Sequence, residues 1–511
     1  MLNSIVHLEH LISPNIQPDQ LRSENPDSAI SVEESLLALL AELHATGKQA
    51  GLYAIGVAPV KVFEEARLIM LERREKGLHG GMHFTYSDIE RATDPSKELD
   101  TARCLVVAAM SYPHPTIRPI RPQPLSPSVK KSRIASDDSQ YAGSNDNDTA
   151  KWSTSTAHAL NAQGSERNNG EAASLPPLGR IAAHAWMDRY TLLREALASI
   201  SSLLQRHGWH SIVLTDSNAL VDREAAWLAG LGWYGKNSLF FVDGLGSWVL
   251  LGSVLTDAPL YKANKNKRMA GGMLSEGDLN RGSLEQRSRC GGCDRCITSC
   301  PTSAIVAPGV LDARRCLAWL LQAPGSFPEE FREALGNRVY GCDTCQEACP
   351  INHRMDKKES DKKESEKKES DKKEEAVTKG KLGSADDDHR HPSAERTDAG
   401  AAKESRSSRL DGLDDEDGRG SIDLLWIIEA SKEELLERLS HLYIPHRKVR
   451  YLKRNALVAL GNYTGPLGER VWEVLSRAMR ESDEIVSEHA RWAWEKLNSR
   501  DDLQNKKMAV E

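Results

Sequence analysis

CGGCDRCITSCPTSAI, residues 290–305, and GCDTCQEACP, residues 341–350, decide how this chain is read. The first run has the spacing Cys-x-x-Cys-x-x-Cys-x-x-x-Cys-Pro, through Cys290, Cys293, Cys296 and Cys300. The second supplies Cys342, Cys345 and Cys349, and Cys316 stands between them in LDARRC. Eight of the nine cysteines thus fall within sixty residues. Three cysteines at intervals of three let one loop wrap three corners of an iron–sulfur cube. The fourth, followed by Pro at a helix start, turns away to ligate the other cluster. That crossover assigns Cys290, Cys293, Cys296 and Cys349 to one 4Fe–4S cluster, and Cys300, Cys316, Cys342 and Cys345 to a second, with none left over. Structural zinc is the plain alternative, but the Cys-x-x-Cys pairs lie far apart and four-cysteine runs ending in Pro are not a zinc arrangement. The ninth cysteine, Cys104, sits in the apolar run CLVVAAMSY and is expected to be a buried core thiol. Such clusters pass electrons singly and do not dictate a substrate, so the reactive centre must lie elsewhere in the chain.

At 511 residues the chain is long enough for several folded units. Charged residues make up 28% and hydrophobic residues 39%, and mean hydropathy is low, the composition of an ordinary globular protein diluted by polar inserts. A net charge of −7 means that any surface for nucleic acid must be local. The first residues, MLNSIVHLEHLISPNIQ, lack a basic stretch followed by an apolar run, and no segment approaches about 18 uninterrupted apolar residues. The expectation is a cytoplasmic chain with no membrane association, in a compartment where clustered cysteines are metal ligands and not disulfides. Nothing calls for an obligate assembly, so a monomer is expected.

Outward from the cysteines, the fold class is α+β, with an N-terminal α/β domain over 31–260. Residues 1–30 read as a disordered leader. SVEESLLALLAELHATGKQAG (31–51) places Leu36, Leu37, Leu40 and Leu43 at helical spacing, with Gly47 as a stop. LYAIGVAPV, CLVVAAMSY and SIVLTD read as strands. EEARLIMLERREKG, YTLLREALASISSLLQRHG and VDREAAWLAG read as helices, and SLFFVDGLGSWVLLGSVLTD as two strands around a glycine turn. Residues 116–177 are rich in Pro, Ser, Asn and Asp without a period and read as a disordered insertion. The two-cluster domain spans 280–354 and is ferredoxin-like. Residues 355–420, with DKKESDKKESEKKESDKKEE, read as a low-complexity charged linker. Helical spacing returns over 421–498 as a small module of helical repeats.

TDSNALVDREAAWLAGLGWYGKNSLFF (215–241), GSWVLLGSVLTD (246–257), the cysteine run, LDARRC, GNRVYGCDTCQEACP (336–350) and RKVRYLKRNALVALGN (447–462) resemble, in order and spacing, the epoxyqueuosine reductase family. The resemblance covers most of the chain outside its polar inserts. It implies reduction of the epoxide of epoxyqueuosine in tRNA, the last step of queuosine biosynthesis, with loss of water. It implies cobalamin and two 4Fe–4S clusters as cofactors, a cobalamin-binding catalytic domain at 31–260 and a HEAT-like C-terminal module that helps to hold tRNA. The physiological electron donor stays unidentified. Asp216 matches the family's proton donor; read alone, it would be a turn or helix-cap residue. The resemblance also carries Arg91, Lys236, Asn237, Phe240 and Asp343 to the cobalamin pocket, Asp343 where the first cluster nears the cofactor. One departure stands out: GRIAAHAWMDRYTLL (179–193) keeps Arg180 and Asp188 but lacks the family's Tyr-His pair.

A related cobalamin and iron–sulfur reductase acting on a small halogenated compound is the main rival. Arg447, Lys448, Arg450, Lys453 and Arg454, a basic cluster within eight residues, favour the RNA substrate through phosphate contacts. A non-catalytic electron-transfer protein is a third possibility, which cobalamin copurification would separate. GLGWYGKN (230–237) falls short of a P-loop, because Asn replaces the Mg²⁺-binding hydroxyl and a helix precedes it.

Overall fold

The computed structural model describes residues 26–112, 176–261, 288–354 and 420–508. The leader (except its last residues), nearly all of the insertion expected at 116–177 and the linker expected at 355–420 lie outside the described residues. Helix α1 (Pro26–Gln49) starts inside the expected leader, with Pro at its first position, where a missing N–H costs nothing. It also runs through Gly47. A Cβ there would meet Ile55 Cδ1 at 2.2 Å, so Gly47 is a close-approach position against the next strand and does not end the helix. Gly51, at φ +88°, makes the turn instead. There follow β1 (Ala54–Pro59), α2 (Glu64–Glu75), α3 (Ile89–Ala92), β2 (Cys104–Ser111), β3 (Leu178–Ile181), α4 (Arg189–Arg206), β4 (Ser211–Thr215), α5 (Asp222–Leu228), β5 (Gly232–Tyr234), β6 (Phe240–Val242) and β7 (Val249–Thr256).

The central sheet has the order β1-β2-β7-β4, and every neighbouring pair is antiparallel. This corrects the α/β expectation for the N-terminal domain: helices cover both faces, but no strand pair in this sheet is parallel, so the domain is itself α+β. The continuous apolar run of β2 has a direct cause. Cys104, Val106, Ala108 and Met110 face the layer formed by α1 and α4, while Leu105, Val107 and Ala109 face α5 and the β5–β6 hairpin. A strand buried on both faces shows no polar alternation, and each fully buried Val or Leu contributes about 1.5–3 kcal/mol. The Cys104 thiol donates to the Ala258 carbonyl at 3.1 Å, and burial pushes its pKa up to about 12, as a core thiol requires. The stretch 238–257 does hold two strands around glycines, but they belong to different sheets: β6 pairs with β5 and β7 joins the central sheet. The hairpin depends on Gly232, where a Cβ would stand 1.7 Å from the Phe241 carbonyl oxygen.

The cysteine segment contributes α6 (Arg295–Thr298), a hairpin of β8 (Ile305–Ala307) with β9 (Val310–Leu311), α7 (Leu317–Leu320), α8 (Glu329–Leu335), β10 (Arg338–Tyr340) and α9 (Thr344–Glu347). After it come β11 (Ser421–Asp423), α10 (Leu424–Glu429), α11 (Lys432–Arg438), α12 (Arg450–Gly461), α13 (Glu469–Ala478) and α14 (Glu484–Met508). These segments are not separate beads. A three-stranded sheet, β10-β3-β11, takes one strand from each of the three regions. One apolar core then runs from Leu317, Phe327, Leu335 and Val339 into Leu424, Ile427, Leu457 and Leu475. The helical module therefore folds on the cluster segment rather than beside it. Among the described residues no helix is long and apolar enough to cross a membrane.

Arg454 seals that junction and corrects an expectation. Only 1% of it is exposed. Its guanidinium donates to the carbonyls of Leu320 at 3.0 Å and Ala323 at 2.9 Å and to Asn455 Oδ1, while Asn455 Nδ2 donates to the carbonyls of Leu321 and Val339 at 2.8 and 2.9 Å. It cannot touch RNA. Burial pulls its pKa down to about 10, so it keeps its charge at neutral pH and the carbonyls satisfy it. Arg454→Met should lower unfolding stability by about 3 kcal/mol, because each buried carbonyl left without a donor costs about 1–3 kcal/mol. Denaturant unfolding would measure it; a loss below about 1 kcal/mol would show the network to be dispensable.

Candidate active site

Two groups of thiols form where the α6 and α9 turns meet. Cys296 senses the charges of Cys290, Cys349 and Cys293. Cys345 senses those of Cys342, Cys316 and Cys300. These are the two sets that the crossover spacing assigns, and the polypeptide brings each together from both ends of the segment. Burial, followed by the neighbouring thiols, pushes Cys296 up to about 11; it pushes Cys316 to about 12 and Cys345 well above an ordinary thiol. Grouped buried sulfurs would therefore stay protonated unless a cation compensates them, and iron does that by ligation. All nine cysteines are free of disulfides. The donor set fits two four-iron cubes.

The cluster segment docks on the N-terminal domain through built contacts. Gln346 Nε2 donates to the Ser247 carbonyl at 2.9 Å, and Asn352 Oδ1 accepts from Ser247 N at 2.9 Å. Trp319 Nε1 reaches the Gly80 carbonyl at 2.8 Å. Gly341, at φ +71°, lets the second cysteine loop pass close to the 3-10 turn Ala183–Ala185: a Cβ there would stand 2.5 Å from Ala182 Cβ and 3.2 Å from His184 Cε1.

Asp216 lies at the end of β4 with φ 49°, a left-handed conformation that costs a non-glycine residue and recurs at functional sites. It caps no helix, since α5 starts at Asp222 behind Val221. Its carboxylate is open to solvent yet crowded by protein, as on the wall of a recess. Desolvation raises its pKa, and the charges of Arg194 and His184 pull it partly back. Desolvation lowers His184, against the pull of Asp343 and Asp216. The phenols of Tyr190 and Tyr340 are pushed up by burial and then by Asp216, so they stay neutral. Asp222 is pushed up to about 8, by burial first and the Asp216 charge second. Sequence reasoning had not singled out His184, Tyr190, Asp222 or Tyr340. His184 and Tyr190 lie in the departing segment 179–193, and Tyr190 senses the Asp216 charge; nothing in the local sequence marked Asp222 or Tyr340.

The residues expected around a corrin are placed unevenly. Arg91 is half-exposed and paired with Glu98, Nε to Oε1 at 2.5 Å. Asn237 is buried and braces the Gly-Lys-Asn turn, Oδ1 accepting from Leu239 N at 3.2 Å and Nδ2 donating to the Cys345 carbonyl at 3.4 Å. Phe240 is core, packed edge-on against Tyr234. Asp343 accepts from Ala183 N at 2.7 Å, and its charge reaches Cys345 and Tyr112. It therefore belongs with the second cysteine set, and the expectation that it marks the first cluster is corrected: it shares a loop with Cys342 and Cys345. The Lys236 carbonyl accepts from Gly309 N at 2.9 Å, and its ammonium has no hydrogen-bond partner among the described residues. The Asp216 and Lys236 side chains make no hydrogen bond among the described residues, whereas Asn237 and Asp343 are tied down by hydrogen bonds and Phe240 lies in the core. That arrangement fits a cofactor held by shape and backbone.

Of the basic cluster, Arg447 and Lys448 are exposed, Arg450 pairs with Asp483 at 3.2 Å, and Lys453 pairs with Glu481 at 3.6 Å. His446 and Arg447 both take positive φ, near 50°, and the His446 charge reaches His83 of an aromatic group. In that group His83 stacks on Phe84 at 4.9 Å, Phe84 meets Tyr443 at 5.1 Å, and Tyr443 Oη lies 3.2 Å from His83 Nε2.

A model of the 4Fe-4S double cluster binding domain matches residues 289–352. The chain is 30% identical over 339 residues to an epoxyqueuosine reductase of Vibrio cholerae, covering 63% of this chain and 72% of that one. It is 28% identical over 314 residues to one of Bacillus cereus, covering 61% of this chain and 64% of the relative, just under two thirds of its length. A crystal structure of selenomethionine-labelled epoxyqueuosine reductase shares the fold at TM-score 0.58 and 22% identity, over 93% of this chain and 95% of that one. An epoxyqueuosine reductase structure with an epoxyqueuosine-modified tRNA-Tyr stem loop also gives TM-score 0.58 and 22% identity, over 90% of both chains.

Proposed function

Because this chain belongs to the epoxyqueuosine reductase family, we propose that it reduces epoxyqueuosine to queuosine in tRNA, with electrons drawn through two 4Fe–4S clusters and cobalamin and a proton delivered by Asp216. The observation that carries this reading is the Asp216 carboxyl, desolvated and facing His184, which also senses Asp343 in the loop of Cys342 and Cys345. Cys290, Cys293, Cys296 and Cys349 hold one cluster, and Cys300, Cys316, Cys342 and Cys345 the other. Lys236, Asp216 and the backbone of the Gly-Lys-Asn turn hold cobalamin, backed by Asn237, Phe240 and Asp343, with Arg91 anchoring the adjacent turn. Bound cobalamin supplies a reduced cobalt able to donate electrons to a strained C–O bond. Desolvation raises the proton affinity of Asp216 above that of an ordinary carboxyl, and Asp216 gives its proton to the departing oxygen. His184 and Arg194 limit how far that proton affinity rises. The neutral phenols of Tyr190 and Tyr340 line the recess without adding charge.

Arg447 and Lys448, exposed next to His446, whose charge reaches His83 in the ring group with Phe84 and Tyr443, suit a looped RNA: cations for phosphates and ring faces for unstacked bases. Arg447→Glu with Lys448→Glu should weaken anticodon stem-loop binding and reduce the slope of log affinity against log salt by about 1.5. An unchanged slope would remove the pair from the interface. The direct test of the function is anaerobic protein with reconstituted clusters and cobalamin, given epoxyqueuosine-containing tRNA, followed by mass spectrometry of the nucleosides. Queuosine is the expected product. Absence of conversion, with dehalogenation of a small substrate instead, would move the chain to the rival class.

A further inference from the structure

Asp222 is a buried carboxyl that the mechanism above does not use. It opens α5, and its Oδ1 is sealed from solvent with no hydrogen-bond partner. The adjacent cation gives it charge but no hydrogen bond: Arg223 Nη1 donates to the Ser238 carbonyl at 2.7 Å. Six residues earlier, the left-handed turn at Asp216 brings a second carboxyl to the same recess, and the Tyr190 ring of α4 senses both charges. The groups facing the two acids are Arg223 from α5, Tyr190 and Arg194 from α4, His184 from the 3-10 turn and Tyr340 from β10. A carboxylate at Asp222 would leave an oxygen without a donor, next to another negative charge; the protonated acid avoids both costs.

Resting on the functional reading above, we infer that Asp222 and Asp216 form a two-carboxyl unit that shares one proton near neutral pH, with Asp222 as the positioning residue that restores the proton to Asp216. Deoxygenation of an epoxide breaks two C–O bonds, forms one C=C bond and releases water. It therefore consumes two electrons and two protons. The electrons come from the reduced clusters. Asp222 passes the shared proton to Asp216, which delivers it to the oxygen; the pair, then two carboxylates, is refilled from solvent, and a second delivery of the same kind completes the water. The upward displacement of Asp222 to about 8 agrees with this sharing, and for such a pair the value belongs to the unit rather than to either acid.

The test joins a pH profile to a measurement that needs no turnover. In single turnover, Asp222→Asn should move the alkaline limb of the rate to lower pH by about one unit, a tenfold loss on the alkaline side with little change near pH 6. An alkaline limb that coincides with the unsubstituted protein, or a loss equal at every pH, would overturn the inference. Infrared titration of the unsubstituted, cluster-loaded protein should show a protonated carboxyl that disappears near pH 8. No such band near pH 7 overturns it as well, whether or not the variant folds. If the protein converts no epoxyqueuosine while the band titrates as expected, the shared proton stands and the functional reading fails.

Discussion

Asp216→Asn is expected to lower queuosine formation by about 10²- to 10⁴-fold, the usual weight of a general acid, while iron and cobalamin content stay unchanged. The amide has nearly the same shape and can sit at the end of β4 in the same left-handed turn, because Asn tolerates positive φ as well as Asp. What it loses is the transferable proton. Desolvation raises the Asp216 pKa in the folded protein, so the acid form is the one that folding favours. Its sign for stability is therefore unfavourable: ionising it costs the folded state progressively as pH rises from the ordinary carboxyl range through the raised value. Asp216→Asn should accordingly be no less stable than the unsubstituted protein above neutral pH, while its activity is lost at every pH. Activity of the unsubstituted protein should fall as pH rises through the same range. Thermal unfolding beside single-turnover rates separates the two effects, and rates within about threefold of the unsubstituted protein would exclude Asp216 as the proton donor.

Cys345→Ala should reduce iron from about eight to about four per chain, in keeping with two four-iron clusters, and abolish turnover. Cys345 sits where burial, then Cys342, Cys316, Asp343 and Cys300, all oppose a free thiolate. The remaining thiols of its set are held by α7 and by the loop into α9, so they cannot move together to replace the missing ligand. The other set, with Cys290, Cys293, Cys296 and Cys349, keeps four ligands and should keep its cluster. Because burial holds Cys316 and Cys345 above the ordinary thiol pKa, cluster loading into the metal-free protein should also slow at low pH, where fewer of these sulfurs ionise. Iron analysis and visible absorption decide the matter. Retention of eight irons, or zinc in their place, would break the electron path on which the proposed function depends.

The separation between legible and illegible features follows the range of the interactions. Spacing of three between cysteines is a property of one loop, so both ligand sets could be written down before any fold was known. The apolar run of β2 likewise announced a strand covered on both faces, and the stretch around Asp216 carried its resemblance in consecutive residues. Arg454 shows the opposite case. In the run Arg450 to Arg454 it reads as one more surface cation, but the helical period turns it inward with Leu457 and Asn455, and only the carbonyls of Leu320 and Ala323, over a hundred residues away, make that burial tolerable. The glycine at 47 reads as a helix end because its neighbour across the packing, Ile55, cannot be seen from local sequence. The recess itself was assembled from His184, Tyr190, Asp216, Asp222 and Tyr340, on five separate elements joined by β10-β3-β11 and by the turn at Gly341. Local chemistry determined what this chain ligates and which acid it offers. Desolvation and proximity, which set how strongly that acid holds its proton, exist only once distant segments close around it.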